Sequence, residues 1–261
     1  MPSQRISDVG AVGSAFRLWK LYGFESPADL DLEDLALAQG VLVLEGRLDS
    51  AEARLIRKGN MGLIRLSDSI LEPGRKRFAI AHEIGHWLLH KSVSQVLACT
   101  SEDMIAKYKA SEPEIEANYF AAELLMPQKL FVPRINGKRP SVALVKEQTR
   151  FFLTTMTATA IRWMELTDDY CAVVFSEQGR IRWWRESKPL EGRFWLDAGA
   201  ALSPHSVAGE YFQGKPISGA AEPVDAEAWV EDAGRLGEST LVEEAFVMER
   251  YGQVMSILCF P

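Results

Sequence analysis

The chain has 261 residues, 47% of them hydrophobic and 25% charged, which excludes a disordered chain and leaves room for more than one core. Its net charge of −7 excludes a general nucleic-acid coat, because neutralising phosphates takes a surplus of Lys and Arg. Cys99, Cys171 and Cys259 are odd in number and lack metal-site spacing, so they exclude a disulfide framework and read as small buried hydrophobes in a reducing compartment.

At the N-terminus, MPSQRISDVG lacks the apolar stretch of a secretory signal, and no later run approaches the ~18 apolar residues of a membrane span. The expected location is the cytoplasm, with no membrane partner. From about Asp8 to Tyr22, the residues Val9, Val12, Phe16, Leu18, Trp19 and Tyr22 form one helical stripe, which Gly23 ends. Asp31 caps a short helix, LEDLALAQ, closed by Gly40. Val41 to Leu44 is a strand candidate, and ARLIRK with MGLIRLS around Gly59-Asn60 reads as a hairpin.

Arg75 to His90 then reads as one helix, and Glu112 to Met126 as another that Pro127 stops. PQKLFVPRINGKRP, rich in Pro and basic residues, reads as a joining segment. Ser141 to Leu166 reads as helices, with Ser141 and Thr157 as candidate caps. After Thr167 the pattern turns to strands: YCAVVFS and RIRWWRE around Glu177-Gln178-Gly179, then LVEEAFVMER and QVMSILCF around Tyr251-Gly252.

The expected fold class is α+β: a sheet-and-helix domain over 1–135, a helical connector over 136–167, and a strand-rich C-terminal α/β domain over 168–261 that could serve as a sensor. Arg134, Lys138, Arg139, Lys146 and Arg150 make a helix-turn-helix-like reading of the connector conceivable. The acidic chain favours a scaffold with a solvated basic face, and direct DNA binding is not expected. Trp183, Trp184 and Trp195 read as packed core, and His205 as a surface residue.

The segment with the most chemical information is His82-Glu83-Ile84-Gly85-His86. Three of the four histidines fall between His82 and His90. On a helix, residues i and i+4 share a face about 6 Å apart, so two imidazoles can reach one ion at about 2.0–2.1 Å. Glu83, one residue round the helix, can stay off the ion and act as the catalytic base that takes a proton from water activated there. His90 continues the series, but its Cα would lie about 12 Å from that of His82, too far for the same ion, so it is expected to end the helix or support a ligand. Gly85 inside this helix suggests close approach of another backbone.

A hydrolytic zinc takes three protein ligands and one open position. The following helix, EPEIEANYFAAELLMP, offers Glu114, with Glu112 and Glu116 as alternatives, and Asn118 as a hydrogen-bond partner for a ligand histidine.

RFAIAHEIGHWLLH followed by EIEANYFAAELLMP resembles the ImmA/IrrE family of bacterial and phage metallopeptidases. Glu114, Ala117, Asn118, Phe120, Ala121, Leu124, Leu125, Met126 and Pro127 match the family pattern. The likeness is specific over residues 41–135 and weaker through Thr154 to Thr167 and the Trp-rich hairpin. It implies a small zincin-like, gluzincin-type metallopeptidase domain holding one Zn2+ per chain on His82, His86 and Glu114, with Glu83 as base. It also implies a zinc endopeptidase acting on a protein substrate, a helix-turn-helix transcriptional repressor whose loss releases stress or mobile-element genes. The alternative is a non-proteolytic sensor or regulatory module that keeps the peptidase fold. MGLIRLS is expected to be an edge strand near the site, to which an extended substrate would add.

Overall fold

A computed structural model describes residues 3–49, 51–90, 97–99, 111–230 and 239–261. The chain forms two compact units. The first comprises Met1–Gln128 with Thr149–Thr155, and the second Lys129–Gln148 with Met156–Pro261. The stretch expected as a connector is thus divided between them.

In the first unit, α1 (Ser3–Tyr22) and α2 (Leu32–Ala38) lead into a sheet of β1 (Val41–Gly46), β2 (Ala53–Lys58), β3 (Met61–Ser67) and β4 (Leu97–Cys99). Asp31 caps α2 as expected, accepting from the Glu33 and Asp34 amides. The β2–β3 hairpin also forms, with Gly59 at φ +60° in its turn. The strand order is β1-β3-β2-β4, with β1 parallel to β3. MGLIRLS is therefore an interior strand, and the edge expected there falls instead to β1 and β4 among the described residues. The hairpin is legible locally, whereas the parallel pairing of Val41–Gly46 against its second strand depends on a chain crossover that residue alternation does not encode.

Two helices sit with this sheet. Helix α3 (Pro73–Leu89) starts with Pro at its first position, where the missing N–H costs nothing, and it packs on β2 and β3. Arg57 of β2 lies over the Trp87 ring, 3.7 Å from its centroid, and donates to the Trp87 carbonyl at 2.7 Å. The Trp87 indole donates in turn to the Gln39 carbonyl at 3.0 Å, so the C-terminal turn of α3 is pinned at two points. Helix α4 (Glu112–Leu125) packs against both α3 and α1, and the Trp19 indole donates to the Leu124 carbonyl at 2.8 Å. Ile84, Phe120, Leu124 and Leu125 are fully buried in this layer. Truncating Phe120 to Ala would cost about 3–5 kcal/mol.

In the second unit, α5 (Gln128–Ile135) is a helix where the sequence suggested a joining segment. Pro133 and the basic residues obscured Phe131 and Ile135, which are buried on one face. Next come α6 (Val142–Phe152), whose residues from Thr149 on belong to the first unit, and α7 (Met156–Leu166). Ser141 precedes α6, its hydroxyl accepting from Leu144 N at 3.3 Å, whereas Thr157 lies inside the first turn of α7 and is not its cap. Arg134 donates to Glu147 at 3.3 Å, and Lys146 stands 3.9 Å from the Phe246 ring centroid, so part of the basic set has partners within the unit.

The unit's sheet contains β5 (Cys171–Glu177), β6 (Arg180–Glu186), β7 (Glu222–Asp225), β8 (Thr240–Met248) and β9 (Gln253–Cys259), in the antiparallel order β6-β5-β9-β8-β7. Both expected hairpins are present. Gln178 and Gly179 have positive φ in the first turn, and Gly252 in the second. A six-residue helix, α8 (Val207–Phe212), joins the apolar core on one face of the sheet. Trp184 packs against that core and Trp183 stacks on Phe175, but Trp195 is 65% exposed and does not belong to it. His205 is exposed, and the Cys171 and Cys259 thiols are free and buried, as read from the sequence. The Cys99 side chain lies outside the described residues. Among the described residues no helix is long and apolar enough to cross a membrane.

Candidate metal centre

The geometry of the site begins at Gly85. A Cβ there would lie 3.2 Å from the Ala117 Cα and 3.0 Å from Phe120 Cδ1, so α4 crosses α3 at the residue that lacks a side chain. Glu114 and Asn118 flank Ala117 on α4, and the close crossing brings both within reach of His82.

His82 Nε2 lies 2.9 Å from His86 Nε2 and 3.0 Å from Glu114 Oε2, and His86 Nε2 lies 3.4 Å from Glu114 Oε2. Among the described residues, this is the group whose ligand atoms converge as a metal site would require. Two donors bonded to one tetrahedral ion at about 2.0–2.1 Å stand about 3.4 Å apart, so the three edges match a shared cation to within about half an ångström. Both histidines are fully buried, and the exposure that remains is at Glu114, whose side chain is 14% exposed.

Donor chemistry supports the same assignment. His82 Nδ1 is 3.0 Å from the Asn118 amide oxygen, which accepts its proton and leaves Nε2 as a lone pair facing the other two ligand atoms. With a lone pair on His86 Nε2 as well, the three acceptors would repel one another unless a cation lay among them.

The alternatives left open by the sequence separate clearly in space. Glu112 is exposed at the start of α4. Glu116 turns to His90 instead, with Oε2 2.8 Å from His90 Nε2. His90 Nδ1 lies 3.0 Å from His86 Nδ1, which makes His90 a neighbour of the triad and not a member of it. Burial lowers the His90 pKa below its usual value, opposed by the hydrogen bond to Glu116. The His90–Glu116 contact was not anticipated, although His86 and His90 one turn apart were its visible signal. Glu83, the expected base, is fully buried on α3, between His82 and His86 in sequence.

A peptidase family, described as the IrrE N-terminal-like domain, matches residues 36–164. No curated protein matches the sequence. Among solved structures, a Mycobacterium tuberculosis transcriptional regulator superposes with a TM-score of 0.62 at 14% identity, covering 99% of this chain and 82% of that one. At that identity the likeness is one of fold.

Proposed function

Because the chain belongs, through residues 36–164, to the IrrE N-terminal-like peptidase family, we propose that it is an intracellular zinc-dependent endopeptidase whose substrate is a helix-turn-helix transcriptional repressor. The observation that carries this reading is the buried convergence of His82 Nε2, His86 Nε2 and Glu114 Oε2. Two neutral imidazoles and one carboxylate form a donor set suited to a hydrolytic zinc, and buried free thiols fit a reducing compartment.

When bound, zinc would lower the pKa of an attacking water toward about 7 and polarise the scissile carbonyl. In this reading each of the chain's own residues has a distinct task. Asn118 orients His82, Glu114 supplies the negative charge, and Glu83 takes the proton of the attacking water and returns it to the leaving nitrogen. A protein site that kept zinc for structure alone would have no use for such a base. Strand addition of a substrate to β3 is blocked by β1 and β2, so an extended peptide would pair with β1 or β4. The repressor substrate draws its support from the family resemblance, and the regulator named among the fold neighbours is consistent with that setting.

The test is co-incubation of the zinc-loaded full chain with a helix-turn-helix repressor encoded beside its gene, with and without a chelator, read by mass spectrometry of the products. Cleavage that stops with the chelator and resumes on added zinc is expected. Cleavage indifferent to the chelator would overturn the reading. Zinc binding without cleavage would favour the regulatory module.

A further inference from the structure

We propose that His90 and Glu116 are a positioning pair that fixes the tautomer of His86 and strengthens it as a metal ligand; this rests on the zinc reading above. A neutral imidazole carries one N–H. As a ligand, His86 turns the lone pair of Nε2 toward the triad, so its proton sits on Nδ1. The atom 3.0 Å from that proton's nitrogen is His90 Nδ1, which must accept. The proton of His90 then sits on Nε2, 2.8 Å from Glu116 Oε2, which accepts it. The opposite assignment would put a proton on His86 Nε2, inside the ligand triangle, and leave a His90 lone pair facing a carboxylate.

The two ligand histidines are therefore held unequally. His82 leans on a neutral amide, while His86 ends a chain that terminates in a negative charge. The chain is largely dry, with the His90 and Glu116 side chains 8% and 23% exposed, so little solvent screens it. A carboxylate that touches neither ion nor ligand thus sets the basicity of His86 through one intervening ring.

Zinc affinity, measured by competition with a chromophoric chelator, tests the pair. The absorption spectrum of the cobalt-substituted protein reports ligand geometry, and thermal unfolding of the metal-free chain serves as the fold control. His90→Leu is expected to weaken zinc binding by about 10–100-fold and shift the cobalt spectrum, while His90→Gln, whose amide oxygen accepts the His86 proton, recovers most of the loss. Glu116→Gln is expected to cost about 10-fold alone and nothing further beside His90→Leu, because it acts through that ring. Full additivity of the two losses, or wild-type affinity in both variants of a chain that does bind zinc, would overturn the proposal. A wild-type chain that takes up no zinc overturns the zinc reading itself, and the pair with it. Should His90→Leu fail to fold, the affinity and cobalt spectrum of Glu116→Gln decide the matter.

Discussion

Gly85 faces the backbone of Ala117 with little room between them: a methyl group on Gly85 would lie 3.2 Å from the Ala117 Cα. The contact sets the distance between the helix that carries His82 and His86 and the helix that carries Glu114. The convergence of His82, His86 and Glu114 is therefore a consequence of how the two helices pack at Gly85.

Gly85→Ala gains up to about 1 kcal/mol of helix propensity. Against this, the added methyl meets buried Phe120 and the α4 backbone, neither of which can move freely. Overpacking of this kind costs about 1–3 kcal/mol, so a net loss of stability and weaker zinc binding are expected, both larger for Gly85→Val. Thermal unfolding with and without zinc measures the two effects. A more stable Gly85→Ala with unchanged affinity would show that the helices can part at no cost.

One zinc per chain is expected by elemental analysis of protein purified without chelator. At free zinc 100-fold above its dissociation constant, binding adds about 2.7 kcal/mol to the unit that holds the site. Chelation should lower the unfolding temperature of that unit, and added zinc should restore it.

Glu83→Gln should keep zinc and lose cleavage by about 10²-fold or more, because an amide cannot carry the proton. Product formation and metal content, measured on the same sample, separate the two effects. Wild-type cleavage by this variant would remove Glu83 from the mechanism.

Asn118→Ala removes the acceptor that orients His82. Zinc affinity should fall by about 10-fold, while Asn118→Asp, which still accepts, should fall less.

In the second unit, Glu243 is fully buried and accepts from the Val207 and Ala208 amides, the Trp229 indole and the Ser256 hydroxyl. Glu243→Leu strands these donors at about 1–3 kcal/mol each, so a loss of more than about 3 kcal/mol is expected in chemical denaturation. Burial also raises the Glu243 pKa, against the four hydrogen bonds. The folded carboxyl therefore keeps its proton to higher pH than the unfolded one. The resulting stabilisation is complete below the unfolded value of about 4.3 and is lost as pH rises through the folded value. Glu243→Gln, which cannot titrate, should flatten that slope.

The sequence made the candidate site helix legible because its signal lies within about one turn: two imidazoles, an acid between them and apolar flanks. The carboxylate that meets His82 and His86 was legible only to within Glu112–Glu116, since one residue rotates a helix by about 100° and only the crossing with α3 sets that phase. Hairpins marked by Gly59, Gly179 and Gly252 were readable from turn chemistry alone. The parallel partner of β3 was not, because it lies across a crossover. Glu243 was hidden for a related reason. It shares a strand face with Leu241 and Ala245, and the donors that make its burial tolerable come from α8, Trp229 and β9, distant in the chain.

The first unit is interleaved with the second, because Thr149–Thr155 returns to it after the chain has left at Gln128. A Cβ on Gly74, in the opening turn of α3, would lie 2.5 Å from the Thr154 carbonyl. A gene fragment ended near residue 135 would encode His82, His86 and Glu114 and yet omit the backbone against which the opening turn of α3 packs. Silence from such a fragment would report a damaged fold and say nothing of the chemistry of the full chain.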